Sequence, residues 1–500
     1  MRISRHLRPI LILPALFLGL SGQAMAGKSG KKAQIPAITA SSQARALFEQ
    51  GQEALDRGNG PAANALFRQA TEADPDFAYA WLNIAGSGFS FAEFSEASRK
   101  ALAAAKGKNE AVELMANINL SFVDNDGEKR LDLANALVER FPSSPRALVA
   151  ASGAYGSLNK VEEARKVLKQ AIALDPGFYV AHTALGFSYI FGQPTDPSKG
   201  HESLRTALDL DLTNDNAWSN LGDAYRAVKN LEEARKAYAK ATDLNDTNAI
   251  ALVKKGHVNS FLGNYDEARR DYARSVEVAP IPNKAAFANY GAFTYVHEGK
   301  PAGAIEELER ILEMISQAEI TDAQKTGQRI FALSNLATIA LHNRMFDVAE
   351  SAIERLSVQL IKNAQSVGSD EQMLTQRANV ASWQGRLAAR RGDFALARQK
   401  AKKNAEILEP VSNPRKMEPF HNLMGLIALE EGNYAAAVGH YEEADHRNTM
   451  YIRYHLGLAL AGAGEEERAK EVFTEAGLWN FNSVGFALMR KDALRRAGLL

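Results

Sequence analysis

The sequence predicts an all-α protein, a solenoid of about twelve stacked helix-turn-helix units finished by a C-terminal capping helix. Three observations predict it. Small and aromatic side chains recur in a 34-residue frame, glycines fall at one turn position of that frame, and prolines stop its second helices. The chain's 500 residues exceed what one compact core supports, so it must repeat or divide. Composition is ordinary, with 46% hydrophobic and 24% charged residues, which excludes a disordered tail or a multi-span membrane protein. Lys+Arg and Asp+Glu both number 59, so no overall basic field draws nucleic acid. The absence of cysteine removes disulfides, thiolate metal sites and cysteine nucleophiles.

Residues 1–26 read as a signal peptide. Arg2, Arg5 and Arg8 form a positive start, Ile10 to Leu20 a short apolar run, and Ala24-Met25-Ala26 a small-residue cleavage point after Ala26. The run is too short for a bilayer that needs about 20 residues, and Pro14 interrupts it. This predicts a periplasmic or secreted product of a Gram-negative bacterium, with no membrane span in the mature chain. Without cysteine it is not a lipoprotein. Residues 27–43 read as a flexible linker.

The clearest repeat begins at Asp215. Trp218, Leu221, Gly222, Tyr225, Ala234, Tyr238 and Ala241 stand at positions 4, 7, 8, 11, 20, 24 and 27 of a 34-residue unit. Positions 4, 7 and 11 make an apolar stripe on a first helix, and 20, 24 and 27 make one on a second. Small residues at 8 and 20 let the two helices approach. This spacing resembles the tetratricopeptide repeat family at every one of those positions.

The frame recurs. Ala44 opens a unit with Gly51, Ala63 and Phe67; Ala78 one with Trp81, Ala85 and Ala97; Pro145 one with Leu148, Ala164 and Leu168. Tyr179 opens a unit with Gly186 and Leu204, Ala249 one with Gly256, Ala268 and Tyr272, and the stretch from Ala111 to Pro142 fits loosely. Gly58, Gly263, Gly392, Gly432 and Gly464 fall at position 15, where a first helix must end and glycine takes a left-handed cap without steric cost. Tyr265, Phe394 and Tyr434 begin second helices, while Pro75, Pro142, Pro176, Pro280 and Pro410 stop them.

An N-terminal array thus covers 44–283, and units with extended second helices cover 284–363. Segment 364–377 reads as a connection, 378–476 as a C-terminal array, and 477–500 as the basic amphipathic capping helix.

The family resemblance implies a right-handed superhelix whose first helices line a concave face that binds extended protein or peptide segments. Positions 2, 5, 6, 9, 12 and 13 then point inward. Position 6 is Asn83, Asn220, Asn289 and Asn335 in four units, amides able to hold a ligand backbone. Asp223 and Arg226 stand beside Asn220. Inward aromatics include Phe89, Phe122, Phe187, Tyr295, Phe331, Trp383, Tyr451 and Tyr454. The family's pattern of lysine and asparagine for clamping a chain-terminal carboxylate is not present.

Between residues 386 and 403, Arg386, Arg390, Arg391, Arg398, Lys400, Lys402 and Lys403 face one acid, Asp393. With Arg386 and Arg390 at inward positions, this stretch reads either as a solvated helix face or as a docking place for an acidic peptide, an anionic polysaccharide or a lipid head group. Catalysis is not expected. His440-Tyr441-Glu442-Glu443 lacks the second histidine of a zinc-protease motif, and Gly299-Lys300 is followed by Pro301, so it is no phosphate loop. No cofactor or metal is implied. The expectation is a non-catalytic interaction scaffold of the bacterial envelope; an exopolysaccharide-secretion scaffold is the alternative.

Overall fold

A computed structural model describes residues 35–500 except 58, 88–90, 125, 368–369, 412, 414 and 445–448. Residues 1–26, read as a signal peptide, the linker up to residue 34, Gly58 and Phe89 therefore lie outside the described residues. The described residues form 25 α-helices, and the chain divides into two compact units, one ending at Asp246 and the other running from Thr247 to Leu500. The division falls inside what the sequence reads as one N-terminal array.

The N-terminal unit holds six helix pairs: α1 (Ser42–Asp56) with α2 (Gly60–Ala73), α3 (Ala78–Ser87) with α4 (Phe91–Ala105), α5 (Glu110–Val123) with α6 (Gly127–Arg140), α7 (Pro145–Ser157) with α8 (Val161–Leu174), α9 (Tyr179–Phe191) with α10 (Pro197–Leu210), and α11 (Asp215–Ala227) with α12 (Leu231–Leu244). Each helix packs on its partner, and the second helices α2, α4, α6, α8 and α10 pack on the first helix of the next pair. Starts are capped: Ser144, Asn214 and Asn230 accept bonds from the backbones of Ala147, Ala217 and Glu233. Caps of this kind contribute about 1 kcal/mol each.

The frame works through close approach. A Cβ on Gly222 would lie 2.5 Å from Cε1 of Tyr238, so only glycine lets that fully buried ring lie flat against the first helix. Second helices end two residues before the prolines, at Ala73, Arg140, Leu174, Val278 and Leu408.

The C-terminal unit also holds six pairs: α13 (Ala249–Leu262) with α14 (Tyr265–Val278), α15 (Ile281–Glu298) with α16 (Pro301–Gln317), α17 (Asp322–His342) with α18 (Phe346–Val367), α19 (Asp370–Arg391) with α20 (Phe394–Leu408), α21 (Glu418–Glu430) with α22 (Tyr434–Glu443), and α23 (Met450–Gly462) with α24 (Glu466–Gly477); α25 (Val484–Arg496) follows. Gly263 closes α13 at φ 87°, the left-handed cap its position demands.

First helices lengthen here as well as second ones. The capping box of Thr321 and Gln324 starts α17 at Asp322, so this first helix runs for 21 residues. Helices α18 and α19 run through most of 364–377 and pack on each other, so helix occupies the segment read as a connection.

The last helix does more than cap. It packs on α24, and also on the first helices α15, α17 and α23. Phe486, Met489 and Ala493 are fully buried in this contact.

Candidate functional site

In the N-terminal unit the first helices leave a cleft of about 170 Å³. Leu55 and Asp56 reach it from α1, Asn83 and Gly86 from α3, Phe122 from α5 and Arg146 from α7. In the framed units these lining residues occupy inward positions, including 6 for Asn83, 2 for Arg146 and 13 for Asp56. The walls are otherwise largely apolar, with Leu82, Met115, Ile118 and Val149.

Its floor is fixed by aromatic packing: Phe48 lies 4.8 Å from Phe77 and 5.0 Å from the buried Tyr79. Arg146 pairs with Asp56 Oδ2 and sits 5.3 Å over the Phe178 ring. Burial opposes the charge on Arg146, but Asp56 and Tyr79 more than offset it, so its pKa stands above the ordinary arginine range. Among the described residues, two buried polar atoms of the lining have no hydrogen-bond partner: the amide Nδ2 of Asn83, a donor, and Oδ1 of Asp56, an acceptor. An unpaired buried polar group costs roughly 1–3 kcal/mol, a penalty that a ligand bringing a carbonyl and an N–H would relieve.

The other position-6 asparagines have a different fate. Asn220 donates to Tyr179 Oη at 3.2 Å. Asn335 donates to Asn289 Oδ1 at 2.9 Å, and Asn289 donates to Ala285 O at 2.7 Å. All three are buried, because neighbouring first helices pack together through these side chains. The sequence reading put them on the concave face, free to hold a ligand backbone; their amides instead join helix to helix. Asp223 and Arg226 are likewise engaged within the unit. Tyr238 donates to Asp223 Oδ1 at 2.6 Å, Arg226 reaches the same hydroxyl at 3.4 Å, and Arg226 is buried.

In the C-terminal unit the inward positions meet the chain's own tail. The Phe486 ring stands edge-on to Phe261, at 5.2 Å, and Arg490 donates to Phe261 O at 3.0 Å. Asn482 donates to Tyr272 Oη at 3.2 Å and lies 3.1 Å from His297 Nε2, while Tyr454 donates to Asp492 at 2.8 Å. Burial pushes His297 down to about 4. The sequence placed this helix on the last repeat; it also lies across first helices much earlier in the chain.

The basic stretch 386–403 resolves mostly into pairs. Arg390 bonds Glu430 at 2.6 Å, Arg391 bonds Glu350 at 2.8 Å, Arg398 bonds Glu431 at 2.5 Å and Lys400 bonds Gln384 at 2.7 Å. Arg386 is the exception among its arginines: among the described residues it has neither acid nor hydrogen-bond partner, and its guanidinium lies 5.1 Å from the Trp383 ring. Trp383, Arg386 and Arg390 share a second cleft. Among the described residues no group of three or more His, Asp or Glu side chains could hold a metal, and no helix is long and apolar enough to cross a membrane.

Comparison with known proteins agrees with the frame. Sequence models described as tetratricopeptide repeat match residues 48–111, 145–178, 215–248, 249–282 and 422–483. Protein bimA of Emericella nidulans is 25% identical over 179 residues, 35% of this chain and 22% of that protein. Anaphase-promoting complex subunit 3 of Schizosaccharomyces pombe is 28% identical over 109 residues, 22% of this chain and 16% of that protein. The chain thus spans less than a quarter of the length of either relative. Among solved structures, a tetratricopeptide repeat protein from Parabacteroides merdae aligns with 56% of this chain and 98% of its own, at 19% identity and a TM-score of 0.36. With its paired helices, its glycine contacts and its turn caps all in the matched frame, the chain is a tetratricopeptide repeat protein.

Proposed function

We propose that the chain is a non-catalytic scaffold that holds an extended polypeptide segment of a partner in the cleft of its N-terminal unit. One observation carries this reading: the cleft is apolar and lined from inward positions, yet two of its lining residues hold a buried donor, Asn83 Nδ2, and a buried acceptor, Asp56 Oδ1, without a partner among the described residues. A peptide backbone offers the complementary carbonyl and N–H, while a bulky apolar side chain fits against Leu82, Ile118 and Phe122. Tetratricopeptide repeat proteins mediate protein–protein interactions, and this supports the assignment. The leader-like pattern of residues 1–26 supports a place in the bacterial envelope.

The test is a peptide-library screen by fluorescence polarisation with the mature chain, repeated on Gly86→Leu and Asn83→Ala. A Cβ on Gly86 would meet nothing within 4 Å, so a leucine there fills the cleft without disturbing the core. Capture of apolar-anchored peptides, lost at least about tenfold in Gly86→Leu at unchanged melting temperature, is the expected outcome. Undiminished capture by Gly86→Leu would overturn the reading. N-terminal sequencing of the protein recovered from the periplasm tests export, with cleavage after Ala26 expected.

A further inference from the structure

The second cleft, about 150 Å³, lies among α17, α19, α21 and α23 of the C-terminal unit, and α25 contributes nothing to its lining. Its charged groups are already committed, save one. Arg390 gives one nitrogen to Glu430 and another to His455 Nε2, at 3.2 Å. His455 is a neutral imidazole: its Nδ1 donates to Tyr451 O at 2.7 Å, and burial, aided by Arg390, pushes its pKa down to about 3. Glu430 also takes the exposed Arg344 on its other oxygen, at 2.8 Å. Inside the cleft, the one charge left without a counter-ion among the described residues is the half-buried guanidinium of Arg386.

Burial lowers the pKa of Arg386, so its charge is held there at a cost that an anion would remove. The guanidinium is a planar fork of donors that matches a planar carboxylate in bidentate fashion. One uncompensated positive charge balances one carboxylate, whereas a phosphate monoester brings about −1.5 to −2. Around Arg386 stand apolar Trp383, Leu341, Leu426 and Ile452, room for a short aliphatic stem, with Asn422 and Thr449 as neutral hydrogen-bonding groups.

We propose that Arg386 seats a carboxylate on a short aliphatic stem, brought as an acidic side chain of a polypeptide or as a free small dicarboxylic acid. The site stands on residues of the C-terminal unit alone and is independent of the cleft that holds Asn83.

Isothermal titration of the full chain tests it with four probes: glutarate, inorganic phosphate, a Glu-containing peptide amidated at its C-terminus, and its Gln counterpart. Wild type is expected to bind glutarate or the Glu peptide at least about tenfold more tightly than phosphate or the Gln peptide. Arg386→Gln, with an unchanged thermal melt, is expected to lose that preference, and Arg386→Lys to keep part of it. Tighter binding of the Glu peptide than of glutarate sustains the proposal with a polypeptide as source; the reverse sustains it with a free acid. No binding of either by wild type, equal binding by Arg386→Gln, or phosphate binding more tightly than glutarate would overturn it.

Discussion

The two units contain six helix pairs each, built on one frame, yet their inward faces end differently. In the N-terminal unit that face remains a cleft in which Asn83 Nδ2 and Asp56 Oδ1 lack partners among the described residues. In the C-terminal unit, much of it is taken by α25, with Phe486 fully buried and Asn482, Arg490 and Asp492 bonded to inward or adjacent side chains and backbone. The repeat therefore specifies packing between neighbours, and a segment outside the repeat decides whether the face it creates remains open. Two tetratricopeptide repeat arrays with the same register need not offer the same binding surface.

The sharpest way to break this contrast is to end the chain after Leu478. Losing Phe486, Met489 and Leu494 from the interior removes on the order of 5 kcal/mol or more of apolar burial from the C-terminal unit. Urea unfolding should lose its C-terminal transition while the N-terminal one persists; a single unshifted transition would refute the claim that the helix completes that unit. Point changes come next. Phe486→Ala in one unit and Tyr238→Ala in the other should each cost about 3–5 kcal/mol, since both rings are fully buried. Differential scanning calorimetry should show each loss confined to its own unit.

Acid should also separate the two. Burial pushes His297 and His342 down to about 4 and His455 to about 3, and all three belong to the C-terminal unit. Each is neutral when folded, so below the unfolded value of about 6.5 the unfolded chain binds protons that the native state refuses. Stability is thus fully present above about 6.5 and falls as pH drops toward 4, by roughly 1 kcal/mol per histidine over the first unit. A C-terminal transition that does not weaken between pH 7 and 5.5 would contradict this. A smaller effect is expected at the helix contact itself. Gly222→Ala drives a methyl group into the Tyr238 ring and should cost about 1–3 kcal/mol in the N-terminal unit.

Much of the architecture was readable because repeat information is local. Gly263 marks the end of α13, Tyr265 the start of α14 and Pro280 its limit, each within a few residues of what it controls. The start of α17 carries a local signal too, the capping box of Thr321 and Gln324, which lies outside the 34-residue frame. What escaped was long-range. Asp393 is the one acid within 386–403, but the acids that meet its arginines, Glu350, Glu430 and Glu431, come from other helices. The four position-6 asparagines look alike in sequence; only packing tells Asn83, open to a cleft, from Asn289 and Asn335, bonded to each other. The path of α25 across α15 and α17 has no periodic signature at all.

That path has a consequence for synthesis. The bond from Arg490 to Phe261 joins residues 229 apart, so the unit beginning at Thr247 cannot finish its interior while α25 is still unmade. Local pairs can form early, but the apolar sides of α15 and α17 stay bare until the last helix arrives. A prematurely terminated product would carry that greasy strip permanently, and chaperones or proteases that bind exposed hydrocarbon could tell it from the finished molecule.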